Sequence, residues 1–324
     1  MARRPRVEFE GARYHVLNRG NYRQDLFTLG RTGEEFREKL YESCERYQWR
    51  LHAYVVMSNH YHLALETPLA NLSVGMHFLQ SVFSNRFNKF VGERGHVFQD
   101  RYKALVLEDE TALLQVVDYI HLNPVRAGLV TVEDLKAYAL SSFPAFFRRK
   151  GRPKFLDPAE FLHETGGLSD SPAGMGAYHR RLKLVMEEDP AKREKEFEAL
   201  CRGWYIGSGE GKAHLAGQIQ EGKVKANTDA LVELKEVKWE ALLSAGLKAL
   251  GKKPADCLRE RKLVEWKLAL GTWMKSRSGA GNQWVSQRLN MGHPNTASRQ
   301  MMLYRTERSK GCEYWKTLRE ILSC

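Results

Sequence analysis

Apolar positions recur with period two in short runs near the N-terminus and with a period near 3.6 in longer runs between them, so strands and helices can be told apart. Arg13–Asn18 reads as a strand. Glu34–Tyr47 reads as a helix, capped by Thr32 with Glu35 as the capping-box partner. Leu51–Met57 and His60–Glu66 are β-rich runs, and Ser58–Asn59 between them is a tight hairpin turn. Asn71 or Ser73 opens a second helix. There Val74, Phe78, Val82, Asn85 and Lys89 trace one line, flanked by Phe83 and Phe87. Lys103–Leu107 is a fourth strand, and Glu110–His121 is a third helix that Asn123-Pro124 should stop. The order β-α-β-β-α-β predicts an α+β, ferredoxin-like split βαβ domain with an antiparallel sheet and a trailing helix. Helices on one face of such a sheet leave the other for a ligand.

Pro144, Gly151, Pro153 and Pro158 mark the exit from this domain, and Thr165–Ala177 reads as a loop or linker. From Tyr178 onward the chain reads helical, except for a Gly-rich, weakly structured stretch over 207–224. Helices resume over Thr228–Leu250 and Cys257–Trp273. Trp284, Val285 and Leu289 then line one helix, Met291-Gly292-His293-Pro294 breaks it, and Asn295 can cap the next. Helix, short break with glycine, helix is the helix-turn-helix pattern, and it falls at 282–305. The division is therefore a sheet domain over 1–150, a linker and helical accessory segment over 151–227, and a mainly helical extension over 228–324.

Composition supports a folded chain, with 43% hydrophobic residues among 324. The net charge of +12 favours a polyanionic partner. It is uneven, with +4 in residues 1–150 and +8 in the remainder. The start, MARRPRVEFEG, has no apolar core of a signal peptide, and no apolar run nears membrane-spanning length. Cys44, Cys201, Cys257, Cys312 and Cys324 are scattered, with no CxxC pair, so a reduced cytoplasmic protein is expected. Gly207-Ser-Gly-Glu-Gly211-Lys212-Ala213 is one residue short of a phosphate-binding loop and lacks its hydroxyl, so ATP dependence is not expected.

Candidate chemistry lies in two places. In His60-Tyr61-His62 the strand period puts both imidazoles on one face. Such a pair can ligate a divalent ion, although a pair taken alone is more often packing or surface histidine. Tyr119 and Asn123 are four residues apart and face one side of a helix. Asn123 offers a carbonyl oxygen as third ligand, and Tyr119 a phenol that could attack a metal-bound phosphate. Each has a plain reading by itself, Tyr119 as a half-buried aromatic and Asn123 as a helix-end residue. Only their conjunction with the histidines raises them.

Four motifs then carry a resemblance. They are Tyr14-His15-Val16-Leu17-Asn18-Arg19-Gly20, Met57-Ser58-Asn59-His60-Tyr61-His62, Val97-Phe98-Gln99-Asp100-Arg101-Tyr102 and Tyr119-Ile-His-Leu-Asn123-Pro124-Val-Arg126-Ala-Gly128. Together they resemble the REP-associated tyrosine transposases of the HUH single-tyrosine superfamily, over residues 10–147. The resemblance implies that His60, His62 and Asn123 hold Mg2+ or Mn2+ and that Tyr119 is the nucleophile. The implied reaction is cleavage and rejoining of single-stranded DNA at palindromic hairpins through a 5′-phosphotyrosine. A monomer and a cytoplasmic, nucleoid-associated enzyme are expected. By the same resemblance Arg3, Arg4 and Arg6 reach the DNA, Arg101, Lys103 and Arg126 are further candidates for backbone contact, and Arg19 orders either DNA or its own loop. His15 approaches the site from the first strand, with a structural role expected. The segment near 255–305 resembles an extension of some relatives. Its Gln283, Asn295, Ser298, Arg299 and Arg305 would touch DNA, duplex included. Two rival readings stay open: a regulator that keeps the fold without catalysis, and a repeat-processing endonuclease without transposition.

Overall fold

A computed structural model describes residues 6–187, 190–224, 228–308 and 311–320. The chain forms two compact units, Met1–Ala230 and Leu231–Cys324.

The first unit is built on a five-stranded sheet of order β2-β3-β1-β4-β5, from β1 (Ala12–Arg19), β2 (Arg50–Val56), β3 (His60–Thr67), β4 (Lys103–Leu107) and β5 (Tyr205–Ile206). The first four strands are antiparallel, in the split βαβ order expected. β5 joins the outer edge of β4 in parallel and covers it with a piece of the accessory segment. On β3 the even positions carry His60, His62 and Glu66 to one face. The odd positions carry Tyr61, Leu63 and Leu65 to the other. Helices α1 (Thr32–Tyr47) and α2 (Leu72–Val91) cover the odd face. There Tyr61 packs with Phe27 and Phe36, and these with Phe83, at ring separations of 4.7–6.4 Å. Helix α3 (Glu110–Arg126) crosses the histidine face.

Several local readings change. Thr32 lies inside α1 and does not cap it: Arg31 holds the cap position, no side chain closes it, and Thr32 Oγ1 has no partner among the described residues. In α2 the buried stripe is Leu72, Gly75, Met76, Leu79, Phe83 and Phe87, whereas Val74 is 60% exposed. Helix α3 runs through Pro124 for one further turn. Proline removes one N–H but not a carbonyl, and Asn123 O still accepts from Ala127 N before Gly128, at φ +68°, ends the turn.

Beyond the sheet come α4 (Phe143–Phe146), α5 (Ala159–Glu164), α6 (Pro172–Glu187) and α7 (Pro190–Ala199). Helix α6 claims the second half of the expected 165–177 linker. The weakly structured 207–224 stretch contains α8 (Gly209–Gln220), because Ser208 accepts from Gly211 N and caps it.

The second unit holds α9 (Thr228–Ala249), which begins just before it, then α10 (Asp256–Arg259), α11 (Glu265–Ser278), α12 (Asn282–Arg288), α13 (Pro294–Leu303) and α14 (Glu313–Glu320). The expected Cys257–Trp273 helix is broken between α10 and α11. Its core joins Trp239, Leu243, Trp266, Trp273, Val285, Leu289, Met301 and Leu318. The helix-break-helix at 282–305 is present, with Gly292 at φ +86° in the break. Its second cap is His293, whose Nδ1 accepts from Asn295 N, not Asn295 itself.

Candidate active site

The antiparallel register sets the histidine face. Leu17 pairs with His62, Arg19 with His60, and His15 with Ala64, so His15 stands diagonal to His62. Helix α3 then lowers Tyr119 onto the pair. Its hydroxyl lies 3.5 Å from His62 Nε2, and the two rings meet edge to face at 5.1 Å. One turn on, Asn123 is buried on the same side of the helix, close enough to His60 and Tyr119 to influence both, and its Nδ2 has no hydrogen-bond partner among the described residues. His60 and His62 ring centres are 5.1 Å apart. The four residues singled out by the sequence thus converge within one chain.

Burial dominates the electrostatics. It pushes His60 down to about 4, with Arg19 adding to the shift and Asn123 opposing it. His62 falls well below the usual histidine range, first by burial and then by His15. The Tyr119 phenol moves up, by burial and then by Cys201, against Asn123 and Arg126. At neutral pH the site therefore holds bare imidazole nitrogens and a protonated phenol. Two neutral imidazoles and the Asn123 side-chain carbonyl oxygen are a donor set that fits a divalent cation whose remaining charge is met by phosphate.

The sequence did not reveal the cover on this site. Residues 194–201 lie over α3. Phe197 meets the Tyr119 ring at 5.3 Å, and Cys201 Sγ lies 3.3 Å from the Tyr119 hydroxyl. Leu200 O sits 2.8 Å from His15 Nδ1, and His15 Nε2 is 3.0 Å from His62 Nδ1. Tyr119 is only 6% exposed as a result. No motif marks these residues, since an apolar ring and a backbone carbonyl leave no signature in a sequence.

A cleft of about 380 Å³ opens beside Tyr119, lined by His60, His62, Arg19, Arg101, Lys103 and Cys201 among others. Arg19, Arg101 and Lys103 are exposed at its rim. A larger cavity of about 740 Å³ lies elsewhere in the unit, lined by Glu108, Asp109, Asp118 and Glu196, a set ill suited to phosphate. Arg3 and Arg4 lie outside the described residues. Arg6 departs from its expected role: it is buried, with its guanidinium 3.6 Å from the Tyr102 ring centre and a hydrogen bond to Tyr102 O. Arg126 is half-buried, paired with Glu194 at 2.7 and 2.9 Å, and stands 5.3 Å from the Tyr119 ring centre. In the second unit Gln283, Asn295, Arg299 and Arg305 are exposed. Ser298 is half-buried, 3.5 Å from Lys275 Nζ.

Two further donor sets have one ligand atom from each residue within 4.8 Å of the others: His15, His62 and Cys201, and His52, Glu66 and Glu160. The second set is able to hold a divalent cation. Arg13 and Arg50 already pair with both of its carboxylates, however, at 3.0–3.7 Å.

A split βαβ sheet with a histidine pair on an interior strand and a tyrosine on the facing helix defines a class. Residues 8–123 match the family model described as "Transposase IS200 like". Over those residues the chain is similar to the single-tyrosine transposases, a family of enzymes. It is 27% identical over 120 residues to a Haemophilus influenzae protein described as a REP-associated tyrosine transposase, covering 34% of this chain and 67% of that one. It is also similar to a solved REP-associated tyrosine transposase bound to a REP hairpin, at 20% identity and a TM-score of 0.38, over 48% of this chain and 90% of that one. A transposase structure from Deinococcus radiodurans matches at 16% identity and a TM-score of 0.27, over 40% and 98% of the respective chains. No described helix is long and apolar enough to cross a membrane.

Proposed function

We propose that this chain cleaves and rejoins single-stranded DNA at repeat-derived hairpins, with Tyr119 as the nucleophile. The observation that carries this is the 3.5 Å approach of the Tyr119 hydroxyl to His62 within the residues that match a transposase family model. Nucleophile and ligand set must meet at one phosphate, and here they meet within one polypeptide, which favours action as a monomer. His60, His62 and Asn123 would hold a Mg2+ or Mn2+ ion, which would draw charge from the scissile phosphate. Tyr119 Oη attacks phosphorus in line, the bond from phosphorus to the 3′-oxygen breaks, and the phenol proton is given up as the 3′-hydroxyl gains one. The product is a 5′-phosphotyrosine, and attack by a later 3′-hydroxyl reverses the step and joins strands.

Arg19, Arg101 and Lys103 at the cleft rim would hold backbone phosphates, which orient the strand without reading its sequence. Phe197 packs on the Tyr119 ring and Cys201 stands at the cleft wall beside its hydroxyl, so the phosphate enters through the cleft and this cover shifts to admit it. The test is a labelled hairpin oligonucleotide incubated with the protein and Mg2+ or Mn2+. A covalent DNA adduct is expected, lost in Tyr119→Phe with hairpin binding retained. Hairpin binding with no adduct under either metal would favour a non-catalytic regulator.

A further inference from the structure

We propose that His15 is a positioning residue: held by the backbone carbonyl of Leu200, it fixes the tautomer and orientation of His62 so that His62 Nε2 presents a bare lone pair to the site. This rests on the reading of His62 as a metal ligand and adds a residue to it.

A backbone carbonyl only accepts, so at 2.8 Å from Leu200 O, His15 Nδ1 carries the hydrogen and donates it. Both His15 and His62 are buried, at 0% and 3% exposure, and neither has a carboxylate among its hydrogen-bond partners in the described residues. Both rings are therefore neutral, each with one N–H. His15 Nε2 is then an acceptor, and His62 Nδ1, 3.0 Å away, must be the donor. That leaves His62 Nε2 without hydrogen, on the side where Tyr119 Oη stands at 3.5 Å. The rings also stack, with centres 5.1 Å apart and planes 29° apart, so His62 is held in rotation as well as in tautomer.

A histidine that ligates a metal commonly donates its other ring N–H to a partner, and loss of that partner costs roughly 10–100-fold in metal affinity. The partner is usually a carboxylate or a carbonyl. Here an imidazole on β1 relays a carbonyl supplied by the accessory segment, some 75 residues beyond the end of the family match. The accessory segment thereby takes part in the site.

Two measurements on the full-length chain test this. Long-range 1H–15N correlation on 15N-histidine protein, without metal, reads the His62 tautomer directly, with the His62 signals assigned by their loss in His62→Gln. The Nδ1–H form is expected in the natural protein. The Nε2–H form there would overturn the proposal, whatever the variants do. Mn2+ titration followed by electron paramagnetic resonance then compares variants. His15→Phe should bind at least tenfold more weakly. His15→Gln, which can still accept from His62 Nδ1, should lie within about threefold of the natural protein. Equal Mn2+ affinity in all three would overturn the proposal alone. No Mn2+ binding in the natural protein would instead overturn the metal reading, while the tautomer still decides the role of His15. If His15→Phe fails to fold, His15→Ala and the tautomer measurement carry the test.

Discussion

Histidines do two different jobs in the first unit, and burial sets both. His60 and His62 are kept neutral so that a lone pair faces the cleft. His121, two residues from Tyr119, points the other way and closes a polar chain inside the core. Its Nδ1 meets Tyr178 Oη and its Nε2 meets Ser142 Oγ, each at 3.0 Å, and Tyr178 donates to Asp118 at 2.9 Å. Burial pushes His121 down to about 3. In the unfolded chain it would titrate near the ordinary value of about 6.5. Below that pH the unfolded state binds a proton that the folded state refuses. The stability is therefore fully present above about pH 6.5 and is lost as pH falls toward 3. A shift of this size is worth on the order of a few kcal/mol. The melting temperature should therefore drop between pH 6.5 and 4. His52, held at about 4, adds to the effect. In His121→Gln the drop should be shallower, with lower stability at pH 7.5. An unchanged slope in that variant would mean that other groups control the acid limb.

The elements were legible in the sequence where they carry a repeating pattern or a motif. β1, β3 and β4 lie within a residue or two of their expected bounds, and period two on β3 gave the face of His60 and His62. Tyr119 and Asn123 were legible through helical spacing, which continues through Pro124. The cover over Tyr119 was not, because β5 has two residues and Leu200 acts through its backbone. The buried stripe of α2 was misread for a related reason: Gly75 belongs to it although glycine carries no hydrophobic signal. Gly75 faces Trp49, and a Cβ there would lie 2.2 Å from Trp49 Cζ2. The indole has little room to yield, since its Nε1 is bonded to Asn71 Oδ1 at 2.9 Å. Gly75→Ala should therefore destabilise the first unit by about 1–3 kcal/mol, the usual range for overpacking. Gly271→Ala in α11 meets the flexible Met301 Sδ at 2.7 Å and should cost less. Chemical denaturation of both variants measures the contrast, and equal costs would mean that the indole relaxes as readily as the thioether.

At the scale of the whole molecule, charge and chemistry are separated. Residues 231–324 contain 18 Lys and Arg against 9 Asp and Glu, so about three-quarters of the net +12 falls in the unit that lacks Tyr119 and the histidine pair. In the first unit Arg19, Arg101 and Lys103 are the basic groups that line the cleft. Lys and Arg against phosphate release counterions, and each such contact adds close to one unit to the slope of log affinity against log salt. The second unit has a helix-break-helix with Asn295 and Arg299 exposed on α13, a pattern suited to the duplex beside a hairpin rather than to the cleaved strand. Arg299→Ala should then weaken duplex binding and lower its salt slope by about one. Adduct formation on a short hairpin that occupies only the cleft should be unchanged. Lys103→Ala should do the reverse, lowering adduct yield and leaving duplex binding intact. Salt titrations of binding and adduct assays on the same preparations decide the matter. If Arg299→Ala lowers adduct yield as much as duplex binding, both units act on one stretch of DNA, and the basic unit is part of the cutting site's own grip.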